Sequence, residues 1–337
     1  MRDPYYRDST TVLYDAGPRE LLAEMPDQAV DCIVTSPPPW IPPAHDGQAP
    51  NDHGSEATPA LYVAALRRVL AEAHRVLADQ GTCWLVTSDR YATDTGWDGP
   101  STGRHTRRGR DHAMRGAPAA SLIGLPWQIA LAAQDDGWIV RNAIVWHHST
   151  TEDEASSDRL ATGYELIFLL VKQKRYHFDL DPIRQPLRRP DVAANPATGG
   201  KQGAAGRPDP RRRLGNRRAE RSGSGKYANA AGNCRRHGAA MLPTGHHHAA
   251  AHPSGKNPGD VWTLPAPPAR DGMPIEVPLR CIAAGCRPSG TVLDMFAGIA
   301  TTGLAARELN RSFIGIEASP SLCDLAKARL AQDGDPE

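Results

Sequence analysis

No apolar run in this sequence approaches the roughly 18–20 residues that a membrane span needs. The opening MRDPYYRDSTTVLYD also lacks the apolar core of a secretory signal. Cysteine is scarce: Cys32, Cys83, Cys234, Cys281, Cys286 and Cys323 lie scattered, and none forms a C-x-x-C pair. That spacing indicates neither a zinc site nor a disulfide framework. His246, His247, His248 and His252 sit in an Ala- and Gly-rich stretch without apolar periodicity, and are read as no metal site. The absences leave a soluble protein of a reducing cytoplasm, with no membrane partner, as the expectation.

Charge is present but unevenly placed. The net charge of +1 hides a segment, Arg184 to Arg236, with fourteen Lys or Arg and three acidic residues. The rest of the chain is correspondingly acidic. Such a segment suits either phosphate contact or a solvated basic loop. Within it, Arg211, Arg212, Arg213, Arg217 and Arg218 form the densest cluster.

The remaining chain is patterned. Ala29 to Ser36 is a short apolar run rich in β-branched residues and ends in Pro37-Pro38-Pro39, which reads as a buried strand running into a rigid turn. Thr58 to Ala78 has apolar residues at helical spacing, with Thr58 as N-cap, Pro59 at the first helical position and Gly81 as the stop. TCWLVTS follows as a strand, then a helix over Leu122 to Asp135 and strands over Trp138 to Trp146 and Glu165 to Val171. Pattern disappears between about Asp181 and Pro258. It returns as a helix over Pro274 to Ala284, the strand TVLDMF, a helix over Gly298 to Leu309, the strand RSFIGIE and a helix over Ser319 to Leu330. Strands alternating with helices predict an α/β protein whose parallel sheet is covered on both faces. Trp127, Trp138 and Trp146 are expected in the core. Ser88-Asp89 ends a strand where it would touch a ligand or cap a turn.

Two turns carry the chemistry. In Leu293-Asp294-Met295-Phe296-Ala297-Gly298-Ile299-Ala300-Thr301-Thr302-Gly303, a strand feeds a turn of small residues that opens a helix, where backbone amides approach a ligand closely. About 20 residues later a second strand ends in Glu317, a place from which an acid accepts hydrogen bonds from ribose hydroxyls. By itself this is a generic nucleotide-site signal.

The segment VLDMFAGIATTGLAARELNRSFIGIE resembles the cofactor motif of β-class DNA amino-methyltransferases, usually DPF-x-G-x-G-T-T followed by G-I-E/D. Asp294, Phe296, Gly298, Thr301, Thr302 and Glu317 match it, and Ala297 falls in the same turn. Met295 stands where the family has Pro, and Ala300 replaces the second Gly, where its methyl would narrow the approach to the cofactor unless a small shift accommodates it. Asp31 to Trp40, DCIVTSPPPW, resembles that family's catalytic T-S-P-P-Y-W. There the Ser36 hydroxyl and a backbone carbonyl fixed by Pro37 and Pro38 would accept the two hydrogens of an exocyclic amine and aim its lone pair. Pro39 replaces the family's Tyr, so Trp40 becomes the aromatic expected to stack on a base swung out of the duplex. Cys32 lies inside the strand, and ring-carbon methylation through a cysteine does not fit.

The likeness covers roughly residues 10–182 and 256–332, and His148 stands where the family often has Lys. Gly259-Asp260-Val261-Trp262 resembles its G-D-V-W element, and Ala269-Arg270-Asp271 replaces its H-F-A. The resemblance implies a Rossmann-like methyltransferase fold with a mostly parallel seven-stranded sheet flanked by helices. It divides the chain into a catalytic half at 1–182, a flexible basic insert at 183–257 where the family carries target recognition, and a cofactor half at 258–337. It implies S-adenosyl-L-methionine as cofactor, double-stranded DNA as substrate, a cognate restriction endonuclease as a candidate partner, and a monomer or dimer. Ser at the first catalytic position favours cytosine N4 over adenine N6. The alternatives are adenine-N6 methylation and a catalytically degenerate DNA-binding relative acting as a partner subunit, the latter motivated by Pro39, Ala300 and Ala269 to Asp271.

Overall fold

The computed structural model describes residues 2–41, 54–92, 117–118, 120–149, 158–186, 252, 254–266 and 273–332. The chain divides into two units: Met1–Ile183 with Pro258–Glu337, and Arg184–Asn257. In the second, Gln185 and Lys256 form an antiparallel bridge, and Arg184 donates to the Gly255 carbonyl at 3.1 Å. The arginines 211–213, 217 and 218, the histidines 246–248, Cys234 and the replaced motif at 269–271 lie outside the described residues.

One mixed sheet organises the first unit. Its strands are β1 (Tyr6–Arg7), β2 (Thr11–Asp15), β3 (Val30–Thr35), β4 (Leu77–Thr87), β5 (Ile139–His148), β6 (Tyr164–Val171), β7 (Val261–Leu264), β8 (Thr291–Asp294) and β9 (Ser312–Glu317). They lie in the order β1-β2-β9-β8-β3-β4-β6-β5-β7. The described residues thus form nine strands, not seven, and the sheet is parallel from β2 to β4 but antiparallel on both sides of β6. Among the described residues six α-helices accompany them: α1 (Pro18–Glu24), α2 (Pro59–Val76), α3 (Leu125–Asp135), α4 (Glu276–Gly285), α5 (Thr301–Glu308) and α6 (Pro320–Gln332).

Local chemistry sets the boundaries. The Thr58 side chain accepts the Leu61 N–H at 3.2 Å, as the N-cap pattern predicts, and α2 buries Tyr62, Leu66, Val69, Leu70, Ala73 and Val76 along one stripe. Gly81 does not stop this helix. It lies inside β4, where an added Cβ would meet the Asp31 carbonyl at 2.7 Å and Leu77 at 2.5 Å, so glycine lets two strands close up. In α3 the apolar face is Leu125, Pro126, Ile129, Ala130 and Ala133. Trp127 points the other way and is half exposed, resting one edge on Phe168, whereas Trp138 and Trp146 are buried as expected.

Two core clusters flank the sheet. One gathers α1, α2 and α3 over its first face, with Leu21, Leu66, Leu70, Ile129 and Phe168. The other packs α4, α5 and α6 on the opposite face, with Val277, Ile282, Ala305, Phe313 and Leu330. From β3 the chain passes through α2 to β4 on one side, and from β8 through α5 to β9 on the other. The carboxyl ends of β3 and β8 therefore flank a topological switch point, where open α/β sheets bind ligands.

Candidate active site

The register Cys32↔Val292 and Ile33↔Leu293 brings the ends of β3 and β8 side by side. From Thr35 the chain enters Ser36-Pro37-Pro38-Pro39, and from Asp294 it enters the turn that opens α5. Together they wall a cavity of about 350 Å³. Its lining includes Ser36, Pro37, Pro38 and Pro39 on one side and Asp294, Phe296, Ala297, Gly298, Thr301 and Thr302 on the other. Residues from two motifs 258 positions apart, Ser36 and Asp294, thus meet in one site.

Asp294 joins the two turns. One carboxylate oxygen accepts the Thr35 hydroxyl at 2.7 Å and the Phe296 N–H at 3.1 Å, and the other accepts the Thr302 hydroxyl at 2.6 Å. Burial pushes its carboxyl up to about 6, against those three donors, which favour the charged form. Met295 supplies a further link, donating its N–H to Thr35 Oγ1 at 3.2 Å, a bond that proline there could not make. Glu317, at the end of β9, accepts the Gly298 N–H at 2.7 Å and the Ser319 N–H at 2.9 Å. Gly298 itself has φ +53°, with open space where a side chain would stand. Ala300 also adopts a left-handed conformation (φ +61°), but its methyl is fully buried in the core and does not line the cavity. Its cost is backbone strain, about 1 kcal/mol.

The Ser36–Pro39 turn is held differently. Tyr62, buried in α2, donates its hydroxyl to the Pro38 carbonyl at 2.8 Å, and burial pushes that phenol up. Neither the Ser36 hydroxyl nor the Pro37 carbonyl has a hydrogen-bond partner among the described residues. Pro39 is exposed. The structure places Trp40 in the core at 5 % exposure, outside the cavity lining: its indole N–H donates to the Glu56 carbonyl at 2.7 Å, and Arg90 lies over its ring while donating to its carbonyl at 2.6 Å. An indole held this way is not free to stack on a base. Cys32 is fully buried, and burial raises its thiol well above the ordinary value.

Ser88 and Asp89 take separate parts. Ser88 lines the cavity, whereas Asp89 accepts the N–H groups of Gly124 and Leu125 and so caps α3. Trp146, Glu165, Met273, Ile299 and Leu322 complete the lining. No motif in the sequence marks Glu165 as a site residue; burial raises its carboxyl to about 7.

Set beside known proteins, residues 30–328 match a family model described as DNA methylase, that of the N6 and N4 methyltransferases. The chain is 29% identical over 320 residues to the type II methyltransferase M.SmaI of Serratia marcescens, covering 93% of this chain and 88% of that one. It is 27% identical to M.Cfr9I of Citrobacter freundii, covering 94% and 87%. Among solved structures, PvuII DNA methyltransferase (cytosine-N4-specific) has TM-score 0.59 at 15% identity, covering 99% of this chain and 89% of that one. A Thermus thermophilus protein, a putative DNA modification methylase complexed with S-adenosyl-L-methionine, has TM-score 0.54 at 21% identity, covering 96% and 95%.

Proposed function

The chain belongs to the N6/N4 DNA methylase family, as an S-adenosylmethionine-dependent DNA methyltransferase, and from that premise we propose that it methylates the N4 amine of cytosine in double-stranded DNA. The residues present suit the cofactor: a turn with open space at Gly298 and apolar walls from Phe296, Ile299 and Leu322, with Glu317 outside the lining and on the Gly298 amide. When bound, S-adenosylmethionine supplies a methyl group on a positively charged sulfur. Glu317 and the turn from Phe296 to Thr302 would hold it, with Asp294 keeping that turn in place.

One observation carries the assignment of roles. Ser36 and Pro37 offer two acceptors without partners among the described residues, on a wall shared with the cofactor turn. Two acceptors are what a conjugated amine needs to turn its lone pair out of the ring. The neighbouring Pro38 carbonyl already holds the Tyr62 hydroxyl, so Pro37 is the carbonyl that faces the amine. Serine at position 36 supports cytosine, because adenine-specific relatives more often carry Asp or Asn there. The arginines at 211–213, 217 and 218 are assigned to DNA phosphates in the same reading. A cognate restriction endonuclease and a cytoplasmic location belong to it as well.

Nucleoside mass spectrometry of DNA from a methylation-free host expressing the chain tests this. The expected result is 4-methylcytosine, absent with Ser36→Ala. Finding 6-methyladenine instead would keep the enzyme and overturn the base. A second reading, a relative that binds DNA without catalysis, is favoured by exposed Pro39 and by Trp40 being fixed in the core. No methylated base from soluble wild type, with activity gained in Pro39→Tyr, would establish it.

A further inference from the structure

Methyl transfer to an amine leaves a surplus proton on nitrogen. A serine hydroxyl and a peptide carbonyl accept hydrogen bonds, but neither retains a proton at neutral pH. The cavity has two carboxyl groups among its described lining, Asp294 and Glu165. Asp294 already accepts from three protein donors. Glu165 has no hydrogen-bond donor among the described residues. His148 stands beside it, with Nε2 3.7 Å from Glu165 Oε1 and itself buried without a hydrogen bond among the described residues.

We infer that Glu165 is a further catalytic residue of this reaction, receiving the proton that the target amine sheds, with His148 beside it. The inference rests on the proposed roles of Ser36 and Pro37. In the step, the amine lone pair forms the new bond to the methyl carbon, while the electrons of the broken bond stay with sulfur. Nitrogen then gives a proton to a Glu165 oxygen and keeps the N–H electron pair. No further reactant is required.

The surroundings agree. Glu165 stands at the start of β6, directly opposite Trp146 on β5. On β5, His147 has its Nδ1 3.3 Å from Thr263 Oγ1 of β7, and the His148 imidazole is held below its ordinary value, chiefly by burial and then by His147. At the end of β4, Ser88 lines the cavity and Asp89 is turned to the α3 amides. Burial raises Glu165 to about 7, which lets it accept a proton during transfer and release it to solvent between turnovers.

The test compares wild type, Ser36→Ala, Glu165→Gln, Glu165→Asp and His148→Ala. DNA from a methylation-free host and tritiated S-adenosylmethionine serve in single turnover from about pH 5 to about pH 9. Cofactor affinity by intrinsic fluorescence, DNA retention by gel shift and a thermal melt accompany each rate. Glu165→Gln is expected to lose at least about 100-fold in rate and its inflection near neutrality, with cofactor and DNA binding unchanged. Glu165→Asp is expected to recover part of the rate and keep an inflection, and His148→Ala to move the inflection. A wild-type rate and profile in Glu165→Gln would overturn the inference, as would a parallel loss of cofactor binding, which marks a structural role. If Ser36→Ala is inactive while Glu165→Gln is not, the inference alone falls. If wild type transfers nothing, the proposed function falls and takes it down too.

Discussion

The two turns that meet in the cavity follow neighbouring strands, yet they treat their polar atoms in opposite ways. The cofactor turn has its acids fully engaged: Asp294 takes three donors, one of them Thr35 from β3, and Glu317 takes two backbone amides. The catalytic turn is braced from outside by Tyr62 on Pro38, and leaves Ser36 and Pro37 unpartnered among the described residues. One turn is built to keep a shape, and the other to keep two acceptors available. The difference explains how the two tolerate change. Ala300 is absorbed where the turn is stiff and its side chain faces the core, whereas Pro39 stands exposed where the sequence motif has an aromatic.

Breaking the link between the turns has the largest expected effect. Asp294→Ala leaves two hydroxyls and one amide without an acceptor and should cost about 3–5 kcal/mol of stability. A denaturant titration measures that loss, and cofactor affinity by fluorescence should fall with it. A loss below about 1 kcal/mol would mean the turns hold their shapes independently.

The open side responds to pH. Glu165 has a higher pKa folded than unfolded, so its contribution is fully present below about 4.5 and is lost as pH rises through about 7. Glu165→Gln removes this dependence, and its melting temperature should overtake that of wild type at alkaline pH, by up to roughly 3 kcal/mol in stability. Parallel melting curves across the range would show that the carboxyl is not held in a buried setting.

The smallest effect belongs to Ala300→Gly. Relief of left-handed strain is offset by loss of a buried methyl, so stability should change by less than about 1 kcal/mol, with cofactor affinity unchanged. A several-fold gain in affinity would place the methyl near the cofactor after all.

Much of this is readable in the residues. Apolar runs with β-branched residues mark β3, β4, β6, β8 and β9, and Thr58-Pro59 marks the start of α2. Three strands escape the pattern. β1 has two residues and β7 four, too few to show alternation, and β2 is a five-residue run that the N-terminal charges obscure. Gly81 resembles a helix stop because local chemistry does not reveal that the Asp31 carbonyl lies against it. Trp127 shows why an aromatic in an amphipathic helix must be placed by face and not by type. Both site motifs are legible, but the Asp294 linkage is not, since it depends on the β3–β8 register. Glu165 looks like the polar residue that begins a strand; its register with Trp146 reveals the rest.

The order β2-β9-β8-β3 also governs how the molecule is made. The two strands nearest the end of the chain fill the gap between two of the earliest. During synthesis, β2 and β3 therefore wait with unpaired inner edges until residues 291–317 emerge, roughly 250 residues later. The sheet cannot close from one end to the other; it closes from both flanks onto β8 and β9. That pair carries the cofactor turn, so the completed centre of the sheet and a competent site arrive in the same event.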